Sequence, residues 1–423
     1  MQRIFTNELS AHVGGRVRLA GWLQHRRELS RVTFAVLRDA RGLAQIVVED
    51  DAVAALLPET VVEVDGDVVA APQAPAGVEI HAPEFNVLAA PAEAPPVELR
   101  RPELKEQLPT LLDYAPVALR HPRKRACFEL AAATVAGFRA ALDAHGFTEI
   151  QTPKIVASAT ESGANLFELG YFGRPAYLAQ SPQFYKQTMV GVFERVYEVG
   201  PVFRAEPHET GRHLAEYVSL DAEIGFVDDH RTVMRFLRDG VAGMVEGVRS
   251  RGAAAVELLA IDLPDVPDEI PSLDFPAALE LIGVADELDL APAHERALGE
   301  WARREHGSDF VFVAGYPMAK RPFYTHPDPE RPELSNSFDL IFRGLELTTG
   351  GQRLHRYDDY LAALAASGQD PAPFEGYLQA FKYGMPPHGG FAIGLERWVT
   401  RLVGATNIRE TTLFPRDRNR LTP

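Results

Sequence analysis

The chain has 423 residues, 46% hydrophobic and 24% charged, and a formal net charge of −16 from 43 Lys and Arg against 59 Asp and Glu. This describes a globular protein long enough for two unequal domains, in which any nucleic-acid contact must come from local basic patches working against the field of the whole chain. One cysteine excludes an intramolecular disulfide and a cysteine-cluster metal site and fits a reducing cytoplasm; no stretch approaches the roughly 20 apolar residues that span a bilayer, and the opening MQRIFTNELS lacks the marks of a signal peptide.

Residues 1–100 read as short strands, Arg16–Trp22, Val32–Arg38, Leu43–Val48, Val61–Ala70 and Glu79–Leu88, punctuated by Gly14-Gly15, Asp39–Gly42 and Pro72–Gly77. Five strands in so short a span suggest a small barrel of the OB-fold pattern, whose exposed face and loops commonly bind oligonucleotides. Gln24-His25-Arg26-Arg27, Arg31 and Arg38 give it a basic side, which can equally be a solvated strand edge. Residues 101–125, rich in charge and proline, read as a hinge before a second domain over 126–423.

From Ala126 the spacing turns helical through Phe128, Ala131, Val135, Phe138 and Leu142, with Cys127 as packing and Gly146 as the C-cap. Phe147–Pro153 follows as a strand closed by a proline that cannot donate to a ladder, which suits a sheet edge or a dimer seam. Short strands are expected around Tyr177–Gln180 and Val196–Val199. The acidic middle from Val227 to Arg304 reads as mostly helical, with stripes of Val233, Phe236, Leu237, Val241 and of Ala277, Leu281, Ile282. It shows no identifiable chemistry and is expected to buttress a sheet. Strand patterns resume at Asp309–Gly315, Ser337–Thr349 and Phe391–Gly394, so the second domain is expected to be a mainly antiparallel sheet flanked by helices, and the whole chain α+β.

Two stretches carry chemistry. In Phe203-Arg204-Ala205-Glu206 the alternation of Val202, Arg204 and Glu206 against Phe203 and Ala205 reads as a strand with one face over a charged cleft; Pro207–Gly211 turns the chain, and Arg212–Tyr217 and Ser219–Glu223 return. Guanidiniums match phosphate oxygens two at a time, so Arg204 and Arg212 suggest a nucleotide or another polyanion, the alternative being a surface ion-pair network. Gly389–Arg397 reads as a glycine-flanked strand feeding a helix, with glycines that allow close approach to a ligand and Arg397 in the first helical turn.

Together with Gly146–Ile155, these segments resemble motifs 1, 2 and 3 of the class II aminoacyl-tRNA synthetases, in order. Within that class the chain resembles the compact aspartyl-tRNA synthetases of archaeal/eukaryal type through Gln180–Gln187, Thr348–His355 and the ending Leu413–Asp417. Thr348-Thr349 stands where relatives often have a serine pair or Ser-Gly, and Tyr217 where many have Phe or Trp.

The resemblance implies an OB-fold anticodon-binding domain and a catalytic domain that joins L-aspartate to ATP and then to the 3′ end of tRNA. Arg204 is expected on the α-phosphate, Arg212 and Arg397 on the outer phosphates, Tyr217 on adenine, and Glu206 near adenine or the tRNA end. His213, Leu214, Glu346 and Gly394 complete the ATP site, His213 in a structural more than a proton-shuttling role. Arg204, Glu206 and Arg397 are the residues expected to carry catalysis, which aligns two anions and neutralises spreading charge without a general base. Arg353 is expected to pair with the aspartate side chain, with Lys186 beside it. Asp221 is expected near the ammonium, and Ser181, Gln183, Thr349 and Gly350 around the rest, with Glu161 on a loop that closes over it.

For a metal, Asp339 and Glu346 lie on strands joined by Arg343-Gly344. A two-residue turn there sets Ile341 opposite Glu346, with Asp339 on the same side as a diagonal neighbour roughly 7–8 Å away. Such a gap suits Mg2+ held with water and phosphate oxygens. Phe338, Leu340, Phe342, Leu345 and Leu347 form the opposite, core-facing side.

Two other readings remain: an asparaginyl-tRNA synthetase, against which Lys186 and Arg353 speak, and an inactive paralogue that only binds RNA. On the barrel, Gln24, Arg26 and Pro75 are the expected anticodon contacts. Strict relatives tend to have an aromatic and a lysine at the places of Gln24 and Pro75. Their absence implies relaxed reading, hence charging of tRNA-Asn besides tRNA-Asp for later use by a tRNA-dependent amidotransferase. A homodimer through the strand around Pro153 is also implied.

Overall fold

The computed structural model describes residues 2–29, 32–157, 165–207 and 210–422, which fall into two compact units, Met1–His121 and Pro122–Pro423. In the first, β1 (Arg16–Glu28), β2 (Thr33–Arg38), β3 (Leu43–Val48), β4 (Val61–Ala70) and β5 (Val78–Ala89) close a barrel in the order β1-β2-β3-β5-β4. Strict alternation drives closure: along β4, Val62, Val64 and Val68 point inward between solvent-facing Glu63, Asp65 and Asp67 and pack with Leu19, Leu37, Ile46 and Ile80. β1 breaks the alternation once. Its pairing with β2 shifts between Leu23 and His25, which makes Gln24 the extra residue of a bulge and buries Leu23 and Gln24 in succession.

The basic side is smaller than expected. Arg38 is buried against Glu59 at 2.6 and 2.8 Å and donates to the Arg120 carbonyl, because its inward direction on β2 leaves a charge that must be paired. Arg31 lies outside the described residues. The stretch read as a hinge carries two short helices, α1 (Leu108–Asp113) and α2 (Ala115–Ala118), held by a small cluster of Val97, Leu99, Leu111 and Ala118.

The second unit opens with α3 (Pro122–Ala144), stopped near Gly146 at φ +75°. β6 (Thr148–Glu149) is the two-residue remnant of the strand expected over Phe147–Pro153, and β7 (Ile155–Val156), β8 (Glu168–Tyr171) and β9 (Arg174–Leu178) form a separate small sheet. α4 (Gln183–Phe193), β10 (Arg195–Phe203) and β11 (Glu216–Gly225) follow, then α5 (His230–Arg251), α6 (Ala253–Leu259), β12 (Ser272–Asp274), α7 (Phe275–Leu281) and α8 (Pro292–His306). The chain ends with β13 (Phe310–Ala314), β14 (Ser337–Phe342), β15 (Leu345–Arg353), α9 (Tyr357–Ala366), α10 (Glu375–Lys382), β16 (His388–Gly394) and α11 (Leu395–Leu402).

These strands build one eight-stranded sheet, β12-β13-β14-β15-β16-β11-β10-β6. It is antiparallel except for β12 with β13 and β10 with β6 at its two edges. One face, with Tyr197, Leu220, Phe338, Leu340, Phe342, Leu347 and Phe391, packs on Phe138 of α3, Leu237, Val241 and Met244 of α5, and Trp398 of α11. Burying each such side chain contributes about 1.5–3 kcal/mol before the entropy of ordering is counted, so this face anchors the sheet.

Two departures shape the site. β10 ends at Phe203, so Arg204 and Glu206 stand in the loop and not on the strand; a last rung joins the Arg204 N–H to the Ala215 carbonyl at 2.8 Å, and Pro207 then disfavours continuation. Arg343 and Gly344, at φ +46° and +73°, make the expected two-residue turn, with Ile341 opposite Glu346. One step on, the register shifts: Leu340 faces Thr348 and Asp339 faces Thr349, with Leu347 bulged out.

Candidate active site

A cleft of about 500 Å³ gathers residues that are far apart in the chain. The β10–β11 loop contributes Arg204, Glu206, Arg212, His213 and Leu214, β11 contributes Tyr217 and Ser219, and α4 contributes Gln183 and Lys186. Glu346, Thr349, Gly350 and Arg353 come from β15, Gly394 from the end of β16, and Glu396 and Arg397 from α11. Lys320 and Arg321 enter from the segment before β14. Lys186, Arg204, Arg212, Lys320, Arg321, Arg353 and Arg397 thus face Glu206, Glu346 and Glu396, so the cleft is cationic inside an acidic protein. Its chemistry is that of a polyanion site.

At one end the guanidiniums converge on Glu346. Arg397 Nη1 donates to the Glu346 carbonyl at 3.0 Å and to its carboxylate at 3.3 Å. Burial opposes ionisation of that carboxyl, but Arg397, Arg212, Arg321 and Arg204 outweigh it and hold it below the usual carboxylate range. Asp339, behind it, goes the other way: burial pushes its carboxyl up to about 6, with Arg321 opposing and Glu346 adding to the rise. Arg321 Nη2 lies 3.2 Å from Asp339 Oδ1, and its guanidinium stacks over the Tyr316 ring at 4.0 Å. Arg204 lies over the Tyr217 ring at 5.7 Å, and His213 Nδ1 is hydrogen-bonded to the Thr210 hydroxyl, which supports a structural use of this imidazole.

Whether Asp339 and Glu346 suit a metal follows from their donors. Among the described residues no group of three or more His, Cys, Asp or Glu side chains is placed to hold an ion. Two carboxylates with a neighbouring Thr349 hydroxyl offer hard oxygens and leave positions for substrate oxygens, a set that fits Mg2+ and not a soft metal.

At the other end the charges are buried and already matched. Lys186, 1% exposed, donates to Asp221 Oδ1 at 2.9 Å and to the Phe391 carbonyl at 3.1 Å, and lies 3.4 Å from Glu223 Oε2. Arg353 donates from Nε to Glu223 at 3.0 Å and from Nη2 to the Gly390 carbonyl at 3.0 Å. Burial works against an ionised Glu223, yet Arg353 and Lys186 hold it below the usual carboxylate range. Gln183, Lys186, Thr349, Gly350 and Arg353 reach the cleft. Asp221 sits behind Lys186, taking a bond from the Ser219 hydroxyl, and the Ser181 hydroxyl accepts from the Gln183 N–H at 3.2 Å at the start of α4. Glu161 lies outside the described residues.

Gly389 and Gly390 of β16 are required by the protein's own packing. A Cβ on Gly390 would lie 2.0 Å from Glu223 Oε2 and 2.2 Å from the Ala222 carbonyl, and one on Gly389 would meet the Gly351 carbonyl at 2.6 Å. Only at Gly394 is the surrounding space ordinary, with Arg397 side-chain atoms at 3.8 Å.

Residues 107–418 match the family of class II tRNA synthetases (D, K and N), and residues 17–88 match the OB-fold nucleic acid binding domain. The chain is a class II tRNA synthetase. The aspartate–tRNA(Asp/Asn) ligase of Thermus thermophilus is 48% identical over 425 residues, covering 100% of both chains. The ligase of the same name from Deinococcus radiodurans is 47% identical, covering 100% of this chain and 99% of the relative. The crystal structure of asparaginyl-tRNA synthetase from Pyrococcus horikoshii with asparaginyl-adenylate superposes with a TM-score of 0.93 at 32% identity, covering 100% of both chains. The synthetase uses ATP as a substrate.

On the synthetase's barrel, Gln24 and Arg26 line a second hollow of about 490 Å³ with His25, Leu56, Pro58 and Arg100. Gln24 is turned inward by the bulge, its Nε2 donating to the Leu99 carbonyl at 3.1 Å, and its Oε1 is buried with no hydrogen-bond partner among the described residues. Arg26 donates to Glu28 at 3.1 Å and to the Leu56 carbonyl. Pro75 opens the turn Pro75–Gly77 between β4 and β5.

Several neighbours of the synthetase site carry no local signal. Arg321, Glu223 and Glu295 each bind a partner distant in sequence: Arg321 meets Asp339, Glu223 meets Arg353, and Glu295 of α8 meets Arg212. The only usable hint was the charge of Lys320-Arg321 ahead of Pro322.

Proposed function

We propose that this synthetase activates L-aspartate with ATP and transfers it to the 3′ end of tRNA-Asp and of tRNA-Asn, that is, as a non-discriminating aspartate–tRNA ligase. The observation that carries the reading is the division of one cleft into a guanidinium-rich end around Glu346 and a buried end lined by Lys186 and Arg353. The first suits a triphosphate, the second a small dicarboxylic amino acid.

In this reading Arg204 holds the α-phosphate, Arg212 and Arg397 the outer phosphates, and Tyr217 stacks on adenine, with Glu206, His213, Leu214 and Gly394 lining the nucleotide. Arg353 and Lys186 take the aspartate side chain, Asp221 the ammonium, and Ser181, Gln183, Thr349 and Gly350 shape the remainder. Asp339 and Glu346 hold Mg2+, which when bound would neutralise phosphate charge. The arginines keep the α-phosphorus and the attacking carboxylate in line and neutralise the charge that spreads in the transition state, so no general base is required. Asparagine, lacking the charge, would leave the buried cations less well matched, a penalty of several kcal/mol or roughly 10⁴ in selectivity.

Gln24, Arg26 and Pro75 meet the anticodon, and the bond-poor amide of Gln24 in place of an aromatic supports relaxed reading of its last base. The names of the Thermus and Deinococcus relatives support the same breadth. The enzyme acts in the cytoplasm as a homodimer through the edge around Pro153, and aspartyl-tRNA-Asn passes to a tRNA-dependent amidotransferase. The test is charging of purified tRNA-Asn and tRNA-Asp transcripts: aspartate on both is expected, and none on tRNA-Asn removes the relaxed reading. Pyrophosphate exchange that prefers asparagine over aspartate would instead favour the asparagine enzyme, whose fold the Pyrococcus structure shares.

A further inference from the structure

α8 belongs to the acidic middle segment in which the sequence shows no chemistry, yet Glu295 in its first turn is buried beside the cleft, 2% exposed. Its carboxylate accepts from Arg212 Nη2 at 2.9 and 3.2 Å, and Oε2 also accepts from the backbone N–H of Glu346 at 2.6 Å. Glu346 is held from its other side by Arg397 through its carbonyl and carboxylate. One chain of contacts, Arg212–Glu295–Glu346–Arg397, therefore joins a loop, a helix, a sheet strand and a second helix.

The arrangement is asymmetric in a useful way. Arg212 stands on the long β10–β11 loop, where a flexible arginine would lose rotamer freedom each time it met a ligand. Glu295 stands on a helix whose Leu298 and Ala302 are fully buried against β13 and β14. A buried carboxylate needs a cation, and among the described residues Arg212 is the cation with which it forms an ion pair. The pairing takes the Nη2 end of the guanidinium, and among the described residues Nε and Nη1 keep their donors for a ligand. The loop backbone is pinned independently: the Gly211 carbonyl accepts from Ile408 N–H at 2.8 Å and the Thr210 carbonyl from Arg409 Nη1 at 3.2 Å. Glu295 thus fixes the direction of the side chain on a loop whose path is already set.

We infer that Glu295 is a positioning residue of the nucleotide site, a single carboxylate that holds Arg212 at a fixed separation from Glu346 so that its guanidinium meets the outer phosphates of ATP. This rests on the assignment of Arg212 to those phosphates. Glu295 touches no substrate; it acts through Arg212.

The test is a double-mutant cycle on the full-length enzyme, with Glu295→Gln, Arg212→Ala and the pair, read as separate KM values for ATP and aspartate in pyrophosphate exchange and as thermal midpoints. Glutamine keeps the volume of Glu295 and an oxygen for the Glu346 N–H but loses the charge that holds Arg212. The expected result is an ATP KM raised roughly tenfold or more by Glu295→Gln, with the aspartate KM within about twofold, and no further loss when it is added to Arg212→Ala. Should Arg212→Ala leave the ATP KM unchanged, the underlying phosphate assignment fails. Should Arg212→Ala raise it while Glu295→Gln does not, or should the two losses add, the positioning role fails. A fall in thermal midpoint with both KM values raised alike would reduce Glu295 to a structural residue and overturn the inference.

Discussion

Arg397 on α11 donates from one nitrogen to both the backbone carbonyl and the carboxylate of Glu346 on β15, at 3.0 and 3.3 Å. The residue proposed for the outer phosphates and the carboxylate proposed for the metal are therefore one mechanical unit. Replacing Arg397 by Ala should lower kcat/KM for ATP by about 10²–10³, and Arg397→Lys should recover little of it, because a lysine carries the charge without the fork. Pyrophosphate exchange at varied ATP measures this; a loss under fivefold would separate Arg397 from the phosphates.

Proton and metal should compete at Asp339. With burial pushing its carboxyl up to about 6, exchange activity at limiting Mg2+ should fall as the pH drops through about 6, and higher Mg2+ should move the midpoint lower, since the metal binds the ionised form. A midpoint indifferent to Mg2+ would take Asp339 out of the metal site.

Glu396 gives a stability prediction of definite sign. Its carboxylate accepts the Val218 N–H with both oxygens at 3.1 Å, and burial pushes its carboxyl up to about 7. A carboxyl raised in the folded state stabilises the fold below its ordinary value of 4.5 and loses that contribution as the pH rises to about 7. Glu396→Gln keeps an acceptor and removes the ionisation. Its advantage over the wild type should grow between about pH 5 and 8 by on the order of 2 kcal/mol, read from denaturant midpoints at the two pH values.

Removal of Arg353 should show at the amino-acid end alone. Arg353→Gln is expected to raise the aspartate KM by about 10²-fold or more with the ATP KM little changed, and to destabilise the fold by about 3–5 kcal/mol because Glu223 loses its main partner. Steady-state kinetics and a melting curve read the two effects separately. An unchanged aspartate KM in a folded variant would contradict the proposed carboxylate contact.

The glycines of β16 should divide sharply. Gly390→Ala places a methyl 2.0 Å from Glu223 and 2.2 Å from the Ala222 carbonyl and should cost about 3 kcal/mol or more, whereas Gly394→Ala meets ordinary contacts and should stay within about 1 kcal/mol. Thermal midpoints of the two variants check this directly.

What could be read from the sequence was what leaves a local mark. The barrel strands show period-two alternation, the Arg343-Gly344 turn carries a glycine where φ must be positive, and the cluster of Arg204, Arg212, Lys186, Arg353 and Arg397 follows from motif order. What escaped depends on partners far along the chain. Arg38 looks like any surface arginine until Glu59 is folded against it, Glu295 looks like a helix-surface acid until Arg212 arrives, and Gly390 looks like a ligand-facing glycine until Glu223 fills the space. Bulges escaped for another reason. A single extra residue at Gln24 or Leu347 leaves composition and propensity unchanged and alters only which face the next residues take.

The bulge in β15 has a consequence for how such a protein can change. Glu346 and Arg353 are an odd number of positions apart, so a regular strand would send them to opposite faces of the sheet. Leu347 and Thr348 both turn to the core, and that lost step of parity brings Glu346 of the first half and Arg353 of the second to one cleft. Ironing out the bulge while keeping all seven steps would turn Arg353 to the opposite face from Glu346, whereas deleting Leu347 would mend the ladder, leave six steps and keep both on one face. What is constrained between Glu346 and Arg353 is therefore the match of count and bulge: seven steps need the irregularity, six do without it, and either change made alone turns one end of the strand away from the other.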